Sequence, residues 1–246
     1  MKSKLTRITK KKNQLDQHQP LPPELTHNLD EWFRVELTYA SNALEGNTLS
    51  RQETAMVVEK GITVGGKTLQ EHLEATNHAK AFDYISELAA SPHQPISEDN
   101  LLQIHRLILQ GIDDRNAGRY RNVAVRIAGA AVVLPNYLKV PDLMTEFIIW
   151  LQQANHSHSV DIAAEAHYRL VSIHPFVDGN GRTARLLMNL LLLQAGYPIA
   201  VIRPEDRQEY INALEHGQTT GDAAAYTDVI YDAVERSLDI YLDAAN

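Results

Sequence analysis

The chain has 246 residues, of which 44% are hydrophobic, and this is enough for one domain with a sizeable core. A formal net charge of −8 argues against general affinity for nucleic acid, and the absence of cysteine excludes disulfides, thiolate metal sites and thiol catalysis. No apolar run is long enough to cross a membrane, and the N-terminus has no apolar signal-peptide core. We therefore expect a soluble cytoplasmic protein that binds neither nucleic acid nor membrane.

The first 25 residues differ in composition from the rest of the chain. Six positive charges fall in "MKSKLTRITKKK", and the proline-containing "QPLPPEL" follows. A basic arm for nucleic acid or membrane is one interpretation, but a solvated and partly disordered tail explains the low hydrophobicity better. We predict a tail over residues 1–25 and a single domain over residues 26–246.

The domain begins with a helical pattern. In "HNLDEWFRVELTYASNALEGN" the apolar residues recur near a 3.6-residue period up to Gly46, which predicts a helix at about residues 28–47. Ser50 followed by Glu53 has the form of a capping box and predicts the start of the next helix. Later helices are predicted to begin at or beside Ser97, Pro141 and Asp161.

Only two stretches have β-like composition, "GITVGGKTL" and "NVAVRIAGAAVVLP". The second predicts a hairpin around Gly129. Because strands and helices do not alternate along the chain, a parallel sheet is excluded. The predicted class is mostly α with a small β element.

Residues 61–68, "GITVGGKT", satisfy the phosphate-loop pattern G-x-x-x-x-G-K-[ST]. That loop requires a buried strand before it, whereas the preceding "RQETAMVVEK" is charged and suits a capped helix. A turn or hairpin that uses glycines for backbone freedom explains the same residues. We therefore do not assign a nucleotide site there.

The strongest chemical pattern is "SIHPFVDGNGRTARLLMNLLLL", residues 172–193. Gly179, Asn180 and Gly181 allow backbone N–H groups to converge at a helix N-terminus, which predicts an anion pocket. Arg182 and Arg185 are three residues apart and can serve one polyphosphate.

Two further groups complete this pattern. Asp178 would repel a polyphosphate unless a divalent cation lay between them, and it therefore implies Mg²⁺. His174 can take a proton near neutral pH and is the candidate base for an attacking hydroxyl, with a buried core histidine as the alternative. We expect Phe176 to anchor the turn by packing.

The segment "HPFVDGNGRTAR" matches H-x-F-x-[D/E]-G-N-G-R-x-x-R, the signature of the Fic family. The resemblance runs from about Asn28 to the C-terminus and includes "GRYRNVAVRIAG" and "LLMNLLLLQAGYP". It implies a helical bundle with a small β-hairpin flap near residues 126–140, on which a target protein docks. It also implies transfer of AMP from ATP to a Ser, Thr or Tyr hydroxyl of that target.

The resemblance implies roles for the residues of the turn. His174 would be the base towards the target hydroxyl, and Asp178 would be a Mg²⁺ ligand. The turn from Gly179 would surround the phosphates, with Asn180 and Arg182 on the α- and β-phosphates.

Three more residues take roles from the same resemblance. Arg185 would hold the γ-phosphate of ATP. Gly181 favours AMP transfer, because the related Doc-type kinases carry lysine there and transfer phosphate. Tyr210 resembles a position near the adenine pocket, with core packing as the alternative.

A second motif, "SNALEGN", matches the inhibitory pattern [S/T]-x-x-x-E-[G/N]-N of the same family. It comprises Ser41, Glu45, Gly46 and Asn47. If Glu45 pairs with Arg185, that arginine cannot hold the γ-phosphate. An acid at a helix C-terminus also needs a partner, because the helix dipole disfavours it there.

Three functional hypotheses follow. The first is a self-inhibited AMP transferase, which can also remove AMP with Glu45 orienting a water. The second is a Fic-fold enzyme that transfers another group, and the third is a nucleotide-binding regulatory or toxin–antitoxin-type protein with little turnover. The sequence leaves open the target protein, the releasing signal and the choice between monomer and homodimer.

Overall fold

The computed structural model describes residues 2–91, 94–127, 129–154 and 157–245. These residues form α-helices and two short 3-10 helices, Tyr137–Lys139 and Pro204–Asp206. The α-helices, in chain order, are α1 Lys2–Gln17, α2 Pro23–Leu44, α3 Arg51–Lys60, α4 Leu69–Ala89, α5 Glu98–Leu109, α6 Val140–Gln153, α7 Ser159–Ile173, α8 Asn180–Gln194, α9 Arg207–Thr220 and α10 Ala224–Ala245. Within those described ranges, no helix combines the length and apolar character needed to span a bilayer.

The mostly helical prediction is confirmed, but the predicted hairpin is not. Over the described part of residues 119–136 the backbone is irregular, with a turn at Gly129 and no strand. The β-branched residues that suggested strands include Val123 and Val133, which are 50% and 94% exposed. An isolated two-stranded hairpin without an apolar face to bury is marginal in water.

The prediction of a solvated N-terminal tail is wrong, because residues 2–17 form helix α1. Ile8 and Leu15 are fully or nearly fully buried in a core cluster that also contains residues of α10. Basic side chains along α1 pair with acidic ones along α10, as in Lys4–Asp232, Arg7–Glu235 and Lys11–Asp239. The acidic partners lie at the far end of the chain, so the local composition of the basic segment could not reveal them.

The phosphate-loop pattern joins two capped helices instead of a strand and a helix. Gly61 ends α3 with a φ of +62°, and Thr68 begins α4 as a capping-box residue with Glu71. The predicted capping box at the start of α3 is also present. Lys67 Nζ donates a hydrogen bond to the Thr48 carbonyl oxygen at 2.5 Å.

Helix α8 lies at the centre of the bundle and is buried on nearly every side. It packs against α7, α4 and α5, and Leu186, Leu187 and Leu190 are fully buried. The buried side-chain amide of Asn189 donates a hydrogen bond to the Ala200 carbonyl and accepts one from the Ala200 N–H. The bundle therefore fixes the N-terminus of α8, where the predicted anion pocket lies.

Candidate active site

The turn between α7 and α8 begins at His174, which has a φ of +51°. This left-handed conformation is uncommon for a residue with a side chain. The ring of the fully buried Phe176 stacks on His105 at 3.6 Å between centroids. Asn180 closes the turn, because its side chain accepts from Phe176 N at 2.9 Å and donates to Phe176 O at 3.0 Å. Phe176 thus packs as expected, and the Asn180 amide is engaged within the turn.

The N-terminus of α8 has the form of an anion site. Gly179 caps it with a φ of +76°, and the hydrogen bond from Thr183 N to Gly179 O is 2.9 Å. The amides of Asn180, Gly181 and Arg182 come before this bond and belong to the first helical turn, where N–H groups have no carbonyl partner within the helix. Converging amides and the helix dipole favour a phosphate at this place.

His105 of α5 packs against the turn between α7 and α8 and forms a hydrogen bond with it. Its Nδ1 accepts a hydrogen bond from Gly118 N at 2.9 Å, so its Nε2 is the donor to the Asp178 carbonyl at 3.0 Å. Burial lowers the pKa of His105 to about 4, although the Asp178 carbonyl opposes this. The ring is therefore neutral at pH 7 and also packs against Gly179, where a Cβ would lie 3.3 Å from it. No pattern in the sequence singled this histidine out.

His174 is placed to act as a base. Burial lowers its pKa below the ordinary value for histidine, and the nearby carbonyl of Val171 opposes this. Because the imidazole is neutral at pH 7, it can accept a proton. Its Nδ1 is buried, which leaves Nε2 as the accepting atom. The neighbouring Arg121, which the sequence analysis did not identify, donates to the His174 carbonyl at 2.8 Å.

Arg182 lies between two carboxylates. Its Nη2 donates to Asp178 Oδ2 at 3.1 Å, and its Nη1 is 3.6 Å from Glu74 Oε1. The guanidinium is almost fully buried, whereas the side chain of Asp178 is 65% exposed. Glu74, on α4, is a further site residue that the sequence analysis missed.

Asp178 is the residue that is predicted to hold a Mg²⁺ ion. Among the residues that the structure describes, no cluster of three or more His, Asp or Glu side chains could hold a metal by itself. One exposed carboxylate beside a phosphate pocket nevertheless fits Mg²⁺, which proteins often bind through one or two carboxylates together with substrate phosphates and water. The residues therefore fit a Mg²⁺ ion that arrives with a polyphosphate.

The end of α2 contacts Arg185 of α8. Arg185 Nη2 donates to Glu45 Oε1 at 2.7 Å and to the Ser41 carbonyl at 2.9 Å, while Nε donates to Ser41 Oγ at 2.9 Å. Desolvation raises the pKa of Glu45, but the charge and hydrogen bond of Arg185 outweigh it and hold that pKa below its ordinary value. Glu45 is thus an ionised partner of Arg185 at neutral pH.

The remaining residues of "SNALEGN" shape the turn after α2. Gly46 has a φ of +98°, which favours glycine. The amide of Asn47 donates to Glu74 Oε2 at 2.9 Å and to the Glu71 carbonyl at 3.1 Å. Because Glu74 also faces Arg182, it connects the turn after α2 to the anion pocket.

Gly181 lies directly under the Glu45–Arg185 pair. A Cβ at this position would come within 2.3 Å of Glu45 Oε1 and 2.9 Å of Arg185 Nη1. Glycine therefore leaves the space in which the carboxylate and the guanidinium meet.

Tyr210, which is predicted to lie near the adenine pocket, is a buried residue of α9. It is 2% exposed, and its hydroxyl lies 2.9 Å from His167 Nε2. The other nitrogen of His167 contacts the Tyr226 hydroxyl at 2.8 Å. Tyr210 thus belongs to a buried network that also interacts with Arg185, and its place near the adenine stays a prediction.

Comparison with known proteins agrees with this geometry. Residues 95–192 match the Fic/DOC family. The protein adenylyltransferase Fic of Culex quinquefasciatus is 37% identical over 98% of this chain and 48% of its own length, and that of Nematostella vectensis is 38% identical over 83% and 48%. The chain thus spans about half the length of these curated relatives.

Solved structures share the whole fold. A Fic domain containing signaling protein from Bacteroides thetaiotaomicron is 30% identical and superposes with a TM-score of 0.88, covering 98% of this chain and 96% of the other. Fic-1 from C. elegans is also 30% identical, with a TM-score of 0.89 over 99% of this chain and 72% of the other. On these grounds, together with its signature turn, the chain belongs to the Fic/DOC family.

Proposed function

We propose that this chain is a self-inhibited protein adenylyltransferase, which transfers AMP from ATP to a Ser, Thr or Tyr hydroxyl of a target protein. The observation that carries the proposal is the 2.7 Å contact between Glu45 and Arg185 beside an anion pocket that also contains His174. The names of the curated relatives, protein adenylyltransferase Fic, support the reaction type.

In this mechanism the first amides of α8 and Arg182 bind the α- and β-phosphates, and Arg185 binds the γ-phosphate. His174 Nε2 takes the proton of the target hydroxyl as that oxygen attacks the α-phosphorus in line. The bond from the α-phosphorus to the bridging oxygen breaks, and pyrophosphate leaves. Fixed amides and the guanidinium of Arg182 stabilise the charge that develops on the phosphate oxygens.

Asp178 would hold Mg²⁺, which when bound neutralises phosphate charge during the transfer. In this role its carboxylate faces the cation and no longer pairs only with Arg182. The exposure of Asp178 leaves room for that arrangement.

Inhibition follows from one arginine placed between two anions. Arg185 can pair with Glu45 or with the γ-phosphate. Because Glu45 is attached to the same chain, its effective concentration is high and ATP competes at a disadvantage. Ser41 strengthens the closed arrangement through its two hydrogen bonds with Arg185. Gly46 and Asn47 set the turn that presents Glu45.

The irregular segment before α6 is the proposed docking place for the target, near residues 126–140. Exposed backbone there can pair with an extended target segment, in the manner of strand addition. The flap would then take its β form only with the target bound. We propose residues 26–246 as the catalytic domain, with the inhibitory element at its start and α1 packed on it as an addition.

The proposal is tested with labelled ATP on the parent protein and on Glu45→Gly. We expect AMP incorporation, including self-modification, to rise at least about tenfold, which corresponds to about 1.4 kcal/mol of relieved competition. Arg185→Ala should show no such gain, and the double variant should be as inactive as Arg185→Ala. If Glu45→Gly incorporates no more label than the parent at saturating Mg·ATP, self-inhibition is wrong.

The same experiment separates the alternatives. Labelled GTP, CTP and UTP test transfer of a different nucleotide group. Calorimetric binding of ATP without incorporation in any variant would favour a nucleotide-binding regulator. Removal of AMP is a second candidate activity, because the ionised Glu45 side chain is 41% exposed and can orient a water, and release of AMP from a premodified target tests it.

A further inference from the structure

We propose that Arg121 is a positioning residue that fixes the backbone of His174 and both ends of the segment 123–135 to one guanidinium. We call residues 123–135 the docking segment, because they overlap the proposed docking place near residues 126–140, and Arg121 would thereby fix the position of this segment relative to the catalytic base. This inference rests on the proposed function, since the base and the docking segment are those of the AMP-transfer reaction.

The contacts of Arg121 connect three places in the chain. Its Nε donates to the His174 carbonyl at 2.8 Å, its Nη2 to the Pro135 carbonyl at 2.6 Å and its Nη1 to the Val123 carbonyl at 3.3 Å. Its own backbone N–H donates to the Pro175 carbonyl at 2.8 Å. Arg121 is therefore the junction between the docking segment and the start of the catalytic turn.

The chemical setting of Arg121 is unusual for a buried cation. The residue is 3% exposed, and within the described ranges its guanidinium takes part in no ion pair. Its acceptors are neutral carbonyl groups, and burial lowers its pKa. A buried charge without a counter-ion is costly. Ordinary packing would be served better by an apolar side chain, so the retained charge points to the need for several donors in one plane.

These contacts act on the most strained residue of the turn. His174 is the one non-glycine residue with a positive φ in the part of the chain that the structure describes. Hydrogen bonds from Arg121 hold the carbonyls of two successive peptides, His174–Pro175 and Pro175–Phe176. Because the His174 carbonyl and side chain share one Cα atom, fixing the plane of the first peptide restricts the direction of the Cα–Cβ bond that carries the imidazole.

The same guanidinium closes the base of the docking segment. Val123 and Pro135 are its two ends, and between them the described residues form neither helix nor strand. Ala131 N donates a hydrogen bond to Glu215 Oε1 of α9 at 2.7 Å, which holds the middle of the segment, while Arg121 ties both of its ends to the start of the catalytic turn. Arginine can serve three carbonyls through its planar fork, whereas lysine offers a single point of charge.

The test uses Arg121→Lys and Arg121→Ala in the full chain carrying Glu45→Gly, with Arg119→Ala as a matched control on an exposed neighbour. Self-incorporation of labelled AMP at saturating Mg·ATP should fall at least tenfold in Arg121→Lys and about 100-fold in Arg121→Ala. Affinity for Mg·ATP, measured by calorimetry, should change less than twofold. Arg119→Ala should behave as Glu45→Gly alone.

Two readouts separate positioning from general loss of structure. Methylguanidinium should restore part of the rate in Arg121→Ala and none in Arg119→Ala. The ring resonances of His174, recorded by NMR in Arg121→Lys, should shift while the midpoint of thermal unfolding stays close to that of the parent. Rates equal to that of Arg119→Ala, or equal losses of rate and ATP affinity, would overturn the inference.

The outcome for Glu45→Gly separates this inference from the proposed function. If Glu45→Gly transfers AMP and the Arg121 variants transfer it equally well, only the role of Arg121 fails. If Glu45→Gly transfers no AMP, the proposed function fails. In that case unchanged His174 resonances in Arg121→Lys would show that Arg121 does not orient the ring either.

Discussion

His174 combines a neutral imidazole with a strained backbone, and both properties come from its surroundings. Burial lowers its pKa, so the ring is ready to accept a proton at neutral pH. Its left-handed φ turns the chain from α7 into the anion pocket. One residue thus ends α7 and, in the proposed mechanism, presents the base next to the phosphate site.

The first residue-scale prediction concerns this base. In the Glu45→Gly background, His174→Ala should reduce AMP transfer by roughly 10²- to 10⁴-fold. Affinity for Mg·ATP should stay nearly the same, because the amides of α8 and the arginines bind the phosphates. Initial rates with labelled ATP and calorimetric titration measure the two effects. Equal transfer rates with and without the imidazole would remove His174 from the mechanism.

Gly181 shows how the absence of a side chain leaves room for the contact on which the proposed inhibition depends. A Cβ there would overlap the Glu45 carboxylate, so the closed contact with Arg185 needs a glycine at this position. The same residue opens the first turn of α8 to phosphate. In the proposed inhibited state Glu45 occupies the space beside Gly181, and in the proposed active state the phosphates of ATP occupy the same region.

At the scale of elements, the glycine-rich loop between α3 and α4 provides a direct comparison with the N-terminus of α8. Lys67→Ala should change Mg·ATP affinity less than twofold, or about 0.4 kcal/mol. Arg182→Ala should weaken it strongly, because Arg182 lies in the anion pocket and Lys67 bonds to Thr48. Calorimetric titration with Mg·ATP, carried out on both variants in the Glu45→Gly background, measures the two affinities. A larger loss of affinity from Lys67→Ala than from Arg182→Ala would mean that the nucleotide binds at the phosphate-loop pattern of residues 61–68.

Helix α1 is the element for which the composition predicted a solvated tail and the structure shows a packed helix. Its buried Ile8 belongs to the same apolar cluster as residues of α10. Ile8→Ala should lower the free energy of unfolding by roughly 2–4 kcal/mol. The exposed Lys10→Ala on the same helix should change it by less than about 0.5 kcal/mol. Denaturant titration compares them, and equal effects would mean that α1 is not part of the cooperative fold.

At the scale of the whole molecule, three buried histidines make stability depend on pH. His78, His105 and His167 are fully buried, and burial lowers their pKa values to about 3, 4 and 3. The unfolded chain binds protons on these rings near pH 6.5, whereas the folded chain does not. Stability therefore falls as pH drops below about 6.5.

The size of the expected loss in unfolding free energy follows from this difference in proton binding between the folded and unfolded chain. Between pH 7.5 and 5.5 each of these histidines should remove about 1.4 kcal/mol of unfolding free energy. Urea titrations at the two pH values measure the loss. The exposed His27, changed to Gln, should leave the difference unaltered. Equal stability at both pH values would contradict the buried neutral state of these rings.

Local features were predictable from the sequence because neighbouring residues determine them. The proposed catalytic turn and the start of α8 occupy consecutive positions 174–185, so their histidine, glycines and arginines could be recognised as one pattern. The capping box of Ser50 and Glu53 depends on three-residue spacing alone. The phosphate-loop pattern could be rejected because its context is also local, in the charged helix that precedes it. The pairing of Glu45 with Arg185 was anticipated through family resemblance, and not through any local signal.

The remaining features depend on residues that only the fold brings together. Arg121 and His105 reach the catalytic turn across 53 and 73 positions of the chain. Helix α1 is ordered by an acidic face at the opposite end of the sequence, which is why its composition suggested a tail. The β-like residues before α6 include exposed valines without an apolar surface to cover, and those that the structure describes form no strand. In each case burial against a distant partner, which is a property of the folded chain, decided the outcome.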